Sequence, residues 1–221
     1  MMTKTTTSKI VMLGEWFFKH RDWTPIPFML LLLLVTAHQS RVRISWPLGL
    51  TLIVLGEGVR LWSVAVIGKE SRTRGSGAAR LVRQGPYAYV RNPLYVGNFL
   101  LTLGATFLSE LLWMIPIAMV LYAVQYVPVV LWEEDVLAER FGAQYAAYRQ
   151  QVPRWIPRWR PQIVGASEAN VRYQWRAALW SERSTFATLA VLLFFMVVKE
   201  DLRHLPKYLR KHFPHASTLP I

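Results

Sequence analysis

Long apolar blocks separated by short polar stretches dominate the chain. Four of these blocks predict helical membrane spans: residues 23–37, 46–67, 93–108 and 111–132. A fifth apolar block, residues 185–198, is short for a bilayer and fits either a further span or a helix lying in the membrane interface. The pattern therefore predicts an all-α, integral-membrane bundle of about four to five transmembrane helices with a cytosolic C-terminal helical segment.

The same pattern divides the chain into three parts. Residues 1–22 form an N-terminal segment, whose polar, Thr-rich start over residues 1–10 is expected to be frayed. Residues 23–162 form the membrane core. Residues 163–221 form a C-terminal extension that carries the short apolar helix. The polar motifs that point to chemistry all lie in the core.

Composition and charge favour the membrane class. Apolar residues make up 53% of the chain and charged residues 18%, whereas soluble domains carry about 25% charged residues. The net charge of +13 would also suit a nucleic-acid surface, but the ten tryptophans and the apolar blocks favour basic loops beside a membrane. Membrane lipids are the expected partners, and nucleic acid is not. There is no cysteine, and the five histidines lie in peripheral stretches, so no metal site is predicted.

The polar connections set the expected topology. Residues 69–91 form a basic, Gly-rich connection that the positive-inside rule places in the cytosol. Ser109-Glu110 predicts a tight turn and therefore a helical hairpin that returns the chain to the cytosolic side. The Pro-, Arg- and Trp-rich residues 152–161 are expected to lie along the headgroups. These features predict a bacterial-type inner membrane location with the functional site on the cytosolic face.

Two charges lie inside the second predicted span. Glu57 and Arg60 are three positions apart, so they share one helix face. Charges at membrane depth either face a polar cavity or neutralise each other. The sequence leaves both interpretations open.

A polar motif precedes the third predicted span. Gly85-Pro86 predicts a turn, and an extended chain after it would place Tyr87, Tyr89 and Arg91 on one face.

Asn92-Pro93 then predicts an N-cap followed by the first helical residue. Such a helix start presents free backbone N–H groups and a positive dipole end to an anionic group. Gly97 lies one turn further on, where it would let another backbone or a ligand approach closely.

A pair of acidic residues follows the fourth predicted span. Neighbouring helical positions diverge by about 100°, so Glu133 and Glu134 are expected to have different partners. One would pair with an ammonium group, while the other orients an arginine or caps backbone. Gly142 is predicted to end the amphipathic helix that contains them.

Together, the two motifs predict a pocket with a positive rim, a negative base and an apolar wall. Such a site suits a zwitterionic, cationic cofactor better than a phosphate-rich one. The chain has neither a P-loop motif nor a dinucleotide fingerprint following a strand.

The strings GPYAYVRNPLYVGN at 85–98 and EEDVLAERFGAQYAAYRQQVPRWIP at 133–157 resemble the isoprenylcysteine carboxyl methyltransferase family. This family belongs to a broader group of integral-membrane methyltransferases that includes phospholipid N-methyltransferases. The resemblance implies a multi-span enzyme that uses S-adenosylmethionine and releases S-adenosylhomocysteine. The positions that it implies in cofactor binding are Tyr87, Arg91, Asn92, Pro93, Tyr95, Gly97, Glu133 and Glu134. The family more often has His where this chain has Asn92, so an acid–base role there is in doubt.

The chemistry of methyl transfer assigns expected roles. A sulfonium methyl group is already activated, so the enzyme mainly aligns donor and acceptor and excludes water. We expect Glu134 or Glu133 to accept from the cofactor's amino group. We expect the carboxylate of the cofactor to accept hydrogen bonds from Arg91 or from the backbone N–H groups of residues 92–95.

The nominal acceptor, by family likeness, is a prenylcysteine-type carboxylate on a lipid-borne or amphipathic molecule. A carboxylate needs only a cation to hold it, such as Arg154, Arg60 or Arg158. The expected catalytic residues are therefore Arg154, Glu134 and Arg60. A phospholipid amine or a small thiol would instead need a base, such as Glu57 or a glutamate of the pair. The alternative outside enzymes is a membrane scaffold or lipid-binding protein.

Overall fold

A computed structural model of the chain describes residues 4–21, 23–35, 44–68, 80–162 and 173–212, and its side chains within these ranges from Lys9 to Lys199. All regular elements of the described residues are helical. The six α-helices are α1 (Lys4–Lys19), α2 (Ile26–Leu34), α3 (Ser45–Ile67), α4 (Pro93–Leu108), α5 (Ile115–Gln151) and α6 (Trp175–His212). Single 3₁₀ turns form at Gly85–Ala88 and Leu112–Met114. The predicted all-α class is confirmed.

Three helical stretches in the described part are long and apolar enough to cross a membrane: Ser45–Ile67, Leu112–Gln151 and Trp175–Lys199. At about 1.5 Å per residue, the 23 residues of α3 rise about 35 Å, more than the roughly 30 Å of a hydrocarbon core. The apolar helix α4 is shorter, with 16 residues. These lengths fit an integral-membrane bundle.

The helices of the bundle alternate in direction. One end is closed by an apolar cluster that contains Leu32 of α2, Leu108 of α4 and Met196 of α6. Nζ of Lys199 binds the carbonyl oxygens of Leu32 and Val35 at 2.8 and 2.6 Å, which satisfies the end of α2 there. Helices α2, α4 and α6 therefore run toward this end, and the hairpin turn leads α5 back from it. The polar motifs gather at the opposite end.

Helices α3 and α4 pack with their backbones in close approach. A Cβ at Gly56 would lie 2.8 Å from the carbonyl oxygen of Gly97, and one at Gly49 would lie 2.9 Å from that of Gly104. Small residues at such crossings allow the close van der Waals packing that holds helices together in lipid. This contact fixes the start of α4 beside the end of α3.

Two predictions about the ends of the chain are wrong. Fraying is predicted for residues 1–10, but residues 4–10 belong to α1, which packs on α5 where the rings of Phe18 and Trp132 lie 4.8 Å apart. Residues 1–3 lie outside the described residues. The apolar block at 185–198 is not a short helix, because it forms the middle of the 38-residue α6. Its stretch Trp175–Lys199 is long and apolar enough to cross a membrane, which favours the further span over the interfacial helix. The amide N–H of Gln174 donates to the carbonyl of Ala65 at 2.8 Å, which places the start of α6 beside the end of α3.

The predicted turn at Ser109-Glu110 is confirmed, whereas the helix end predicted at Gly142 is corrected to a break inside α5. The chain turns at Ser109-Glu110, where Glu110 has a φ of 61°, and α4 and α5 form the expected hairpin. Gly142 breaks α5 with a φ of 48° and a ψ of −121°, a conformation that glycine adopts without a Cβ clash. The helix resumes beyond this break and continues to Gln151, so Gly142 marks a kink inside α5.

Candidate functional site

The loop before α4 is held against the segment that follows α5. Tyr148 donates its hydroxyl to the carbonyl oxygen of Tyr87 at 2.8 Å. Three backbone hydrogen bonds join the same two segments: Arg91 N to Pro153 O at 2.9 Å, Arg158 N to Tyr89 O at 3.1 Å, and Gln162 N to Ala88 O at 2.9 Å. The two sequence motifs, which are well separated along the chain, therefore form one unit.

Residues 87–91 do not form the extended run that would place Tyr87, Tyr89 and Arg91 on one face. Gly85–Ala88 coils into a 3₁₀ turn, so the three side chains point in different directions. Tyr87 is buried on the side of Ser63 and Arg60, and the ring of Tyr89 packs at 5.9 Å from that of Trp62. Arg91 is the one of the three that forms an ion pair with Glu134.

Four residues at this end form the Glu134 cluster, consisting of Arg91, Asn92, Glu134 and Arg154. The carboxylate of Glu134 is 4% exposed and accepts two hydrogen bonds from Arg154, Nε to Oε1 at 3.0 Å and Nη2 to Oε2 at 2.8 Å. Nη1 of Arg91 lies 3.2 Å from the same Oε1. Because Arg154 binds as a planar fork, it fixes both the position and the rotation of the carboxylate.

Asn92 sits at the predicted N-cap of α4, but its side chain makes no capping bond. Its Nδ2 instead donates to the carbonyl oxygen of Arg154 at 3.3 Å and lies 3.5 Å from Glu134 Oε1. The N–H of Tyr95, one of those expected to be free, donates to the carbonyl of Asn92 at 3.1 Å. The side chain of Asn92 therefore contacts other members of the Glu134 cluster rather than capping α4, while Pro93 begins the helix as predicted.

The guanidinium of Arg91 retains bonding capacity. Its side chain is only 9% exposed, and its Nε and Nη1 make no hydrogen bond to any described residue. Buried donors normally find acceptors, so the N–H groups of Arg91 that do not face Glu134 fit a small anionic group held at the site.

The two adjacent glutamates have different partners, as their helical spacing predicts. Glu134 faces the arginines, whereas Glu133 accepts a hydrogen bond from the hydroxyl of Tyr95. The Tyr95 carbonyl in turn accepts from the hydroxyl of Tyr122 at 2.5 Å. The pair therefore presents two separate carboxylates, one on each side of the α4 start.

Two pKa shifts outside the spans follow from this geometry. The hydrogen bonds to Glu134 raise the pKa of Arg154, even though its partial burial opposes the shift. Burial raises the pKa of the Tyr87 phenol well above its usual value, and the neighbouring Tyr148 and Glu133 add to this effect. Tyr87 is therefore a protonated hydroxyl at neutral pH, able to donate a hydrogen bond.

Arg60 lies apart from Arg154, in a second polar group that we call the Arg60 cluster. Its members are Glu57, Arg60, Asn98, Glu182 and Thr185. Nη1 of Arg60 donates to Asn98 Oδ1, Nη2 lies 2.5 Å from Glu182 Oε2, and Nε lies 3.4 Å from Glu57 Oε2. The sequence placed Glu57 and Arg60 on one helix face and left their pairing open, and it did not indicate Asn98 or Glu182 as partners. Asn98 is the last residue of the first motif string, and Glu182 lies three positions before the last apolar block.

Gly97 is explained by this cluster. A Cβ at Gly97 would lie 2.6 Å from Cγ of Arg60 and 2.7 Å from the carbonyl oxygen of Gly56. The expected close approach is therefore that of α3 and of the Arg60 side chain. Nothing in this contact requires a cofactor.

Comparisons with known proteins place the chain beside membrane methyltransferases. The phospholipid methyltransferase family model matches residues 44–144, an interval that contains all the predicted cofactor residues. Arg154 and Glu182 lie beyond it.

Similar proteins include the cobalt-zinc-cadmium resistance protein CzcN of Cupriavidus metallidurans, which is 33% identical over 155 residues, 66% of this chain and 68% of that protein. Protein-S-isoprenylcysteine O-methyltransferase B of Arabidopsis thaliana is 30% identical over 117 residues, 49% of this chain and 57% of that protein. The protein-S-isoprenylcysteine O-methyltransferase of Schizosaccharomyces pombe is 40% identical over 82 residues, 35% of this chain and 33% of that protein. No solved structure matches the chain.

Proposed function

We propose that this chain uses S-adenosylmethionine to methylate a lipid-borne or amphipathic acceptor. The premise is that it belongs to the family of integral-membrane methyltransferases that includes the isoprenylcysteine and phospholipid methyltransferases. The chain is a methyltransferase by family. The observation that carries the proposal is the Glu134 cluster, in which the start of α4 and the middle of α5 meet around buried charged groups.

The residues present fit this cofactor. The buried N–H groups of Arg91 are suitable donors for its carboxylate. Glu133 is the better acceptor for its ammonium group, because both oxygens of Glu134 already bind Arg154. Glu134 then acts by holding the arginines in place. When bound, the cofactor supplies a methyl group on a sulfonium, and the chain's residues align it and exclude water.

For the acceptor, we propose a prenylcysteine-type carboxylate as the nominal substrate. The similar proteins from Arabidopsis thaliana and Schizosaccharomyces pombe are protein-S-isoprenylcysteine O-methyltransferases by name. A carboxylate is nucleophilic without losing a proton, so it needs only a cation to orient it. Arg154 is partly exposed beside Glu134, with Arg158 exposed in the same segment.

A second candidate acceptor is a phospholipid amine or a small thiol. One observation favours it, which is that Arg154 and Arg60 are each already paired with carboxylates. An amine or thiol would need a base rather than a cation, and Glu57 or Glu133 would supply it.

We further propose that the site faces the cytosol from a bacterial-type inner membrane. Basic residues are concentrated at the site end, among them Arg80, Arg83, Arg91, Arg154 and Arg158. Cytosolic loops carry such an excess of basic residues by the positive-inside rule.

Two experiments test the proposal. Titration calorimetry on the detergent-purified protein should detect binding of S-adenosylhomocysteine, and a folded protein that does not bind it would exclude the proposal. Native membranes incubated with methyl-labelled cofactor should then yield labelled lipid or lipidated protein. Label released by mild base indicates a methyl ester, whereas base-stable label indicates the amine or thiol alternative.

A further inference from the structure

We propose that Glu182, on the C-terminal helix α6, is a positioning residue for the cofactor end of the site, acting through Arg60, Asn98 and Tyr126 on the Tyr95–Glu133 pair. The inference rests on the proposed function, because it assigns Glu133 to the cofactor. It extends the enzyme's machinery to a helix that lies outside the matched family interval.

The first step joins α6 to α3. Glu182 is 3% exposed, and its Oε2 lies 2.5 Å from Nη2 of Arg60 and accepts from the hydroxyl of Thr185 at 2.8 Å. The Nη2 of Arg60 is also 3.5 Å from that hydroxyl. Glu57 approaches the other side of the guanidinium, at Nε. Two buried carboxylates thus hold one guanidinium between α3 and α6.

The second step joins Arg60 to α4 and sets a direction. A guanidinium can only donate hydrogen bonds, so the oxygen of the Asn98 amide must face it. The amide nitrogen must then face the other way, where Nδ2 donates to the hydroxyl of Tyr126 at 3.3 Å. The position of Arg60 therefore decides how Asn98 presents its amide to α5.

The third step reaches the site. The ring of Tyr126 packs at 5.3 Å from that of Tyr95, whose hydroxyl is hydrogen-bonded to Glu133. A continuous series of contacts therefore leads from the α6 carboxylate to the glutamate proposed for the cofactor's ammonium group. A helix that only anchored the chain in the membrane would not need a carboxylate at the start of this series.

The test is the affinity of Glu182→Gln for S-adenosylhomocysteine, measured by calorimetry in detergent. Without the Glu182 charge, Arg60 should move toward Glu57 and release Asn98. Coupling through such a network is expected to weaken binding roughly tenfold. Glu182→Asp keeps the charge and should stay within about threefold of wild type. Arg183→Gln alters an exposed neighbour on the same helix and should bind like wild type.

Thermal unfolding of each variant separates positioning from folding. A tenfold loss in Glu182→Gln at an unchanged unfolding midpoint, with rescue by Glu182→Asp, supports the inference. Folded Glu182→Gln that binds like wild type overturns it, as does a loss that simply follows the unfolding midpoint across all three variants.

Should Glu182→Gln fail to fold, Thr185→Val removes one hydrogen bond to the same carboxylate oxygen and is expected to weaken binding two- to threefold. Unchanged binding by this variant would then overturn the inference. Wild-type protein that is folded but does not bind S-adenosylhomocysteine would instead remove the proposed function itself.

Discussion

The Glu134 cluster and the Arg60 cluster are both built around arginines and buried glutamates, yet they are held in different ways. The Glu134 cluster is framed by main-chain hydrogen bonds between the loop before α4 and the segment after α5. The Arg60 cluster is held by side chains from α3, α4 and α6 that meet between apolar helices. The difference separates a site built on local motifs from one built on packing.

The difference also bears on how each cluster should respond to change. Main-chain bonds do not depend on which side chains are present, so the frame of the Glu134 cluster should survive most single substitutions around it. In the Arg60 cluster, contacts between side chains hold the residues in place. Charged groups that are removed from water there have few alternative partners. Loss of one partner should therefore be passed on to the others.

The largest effect is expected for Glu134→Ala. This change leaves the buried Arg91 and the partly buried Arg154 without their shared carboxylate. Breaking a buried ion pair by removing one partner costs about 3–5 kcal/mol, so the unfolding midpoint should drop markedly. Binding of S-adenosylhomocysteine should be lost as well, because Arg91 is no longer oriented. Thermal unfolding and calorimetry measure the two effects.

Glu139→Ala is the matched control, since Glu139 is an exposed glutamate on the same helix. It should leave both measurements near the wild-type values, within about 0.5 kcal/mol. Equal behaviour of the two variants would contradict the central place of Glu134 in the site.

This contrast between the clusters explains what the sequence could predict. The motif residues Arg91, Asn92 and Glu134 were found because they follow recognisable signals, a Pro-started helix and an acidic helix exit. Their detailed contacts were not, since Asn92 was expected to cap α4 but binds the Arg154 carbonyl instead. A contact with a backbone carbonyl of a distant segment cannot be predicted from the local sequence around Asn92.

Glu182 was missed for a related reason. Helical spacing links Glu57 to Arg60 within one helix, but no spacing rule links either residue to α6, more than 100 positions away. The extended run over 87–91 failed because tertiary contacts favour a 3₁₀ turn at Gly85–Ala88. Long-range packing, which local patterns do not encode, accounts for both errors.

The second largest effect is expected for Gly97→Ala, which tests the packing-based cluster. The new methyl group would lie 2.6 Å from Cγ of Arg60 and 2.7 Å from the carbonyl oxygen of Gly56. Overpacking of this kind costs about 1–3 kcal/mol. Both the unfolding midpoint and the affinity for S-adenosylhomocysteine should fall, because Arg60 is displaced.

Gly58→Ala is the control for that change. Gly58 lies in the same helix as Gly56, and a Cβ there meets no atom within 4 Å. Its unfolding midpoint should be unchanged or slightly raised, since alanine favours a helix over glycine by about 0.5–1 kcal/mol. A midpoint that falls as far as in Gly97→Ala would exclude the steric explanation.

A third prediction separates the two adjacent glutamates. Glu133→Gln keeps an oxygen for the Tyr95 hydroxyl but removes the charge proposed for the cofactor's ammonium group. The loss of one charge-assisted hydrogen bond should weaken the binding of S-adenosylhomocysteine roughly tenfold, with little change in the unfolding midpoint. Glu133→Gln should therefore lower the affinity without lowering the stability, whereas Glu134→Ala should lower both. A parallel loss of both in Glu133→Gln would contradict this division of roles.

The smallest effect is expected for Tyr148→Phe, which tests whether the main-chain frame tolerates the loss of one bond. The buried hydroxyl of Tyr148 donates to the carbonyl oxygen of Tyr87 at 2.8 Å, beside the three backbone hydrogen bonds that join the same segments. Its removal should lower stability by about 1 kcal/mol while S-adenosylhomocysteine still binds within about twofold, because the backbone bonds keep Arg91 in place. Tyr173→Phe, at a more exposed tyrosine, should change neither measurement. A collapse of binding in Tyr148→Phe would mean that the Glu134 cluster, like the Arg60 cluster, depends on each of its side chains.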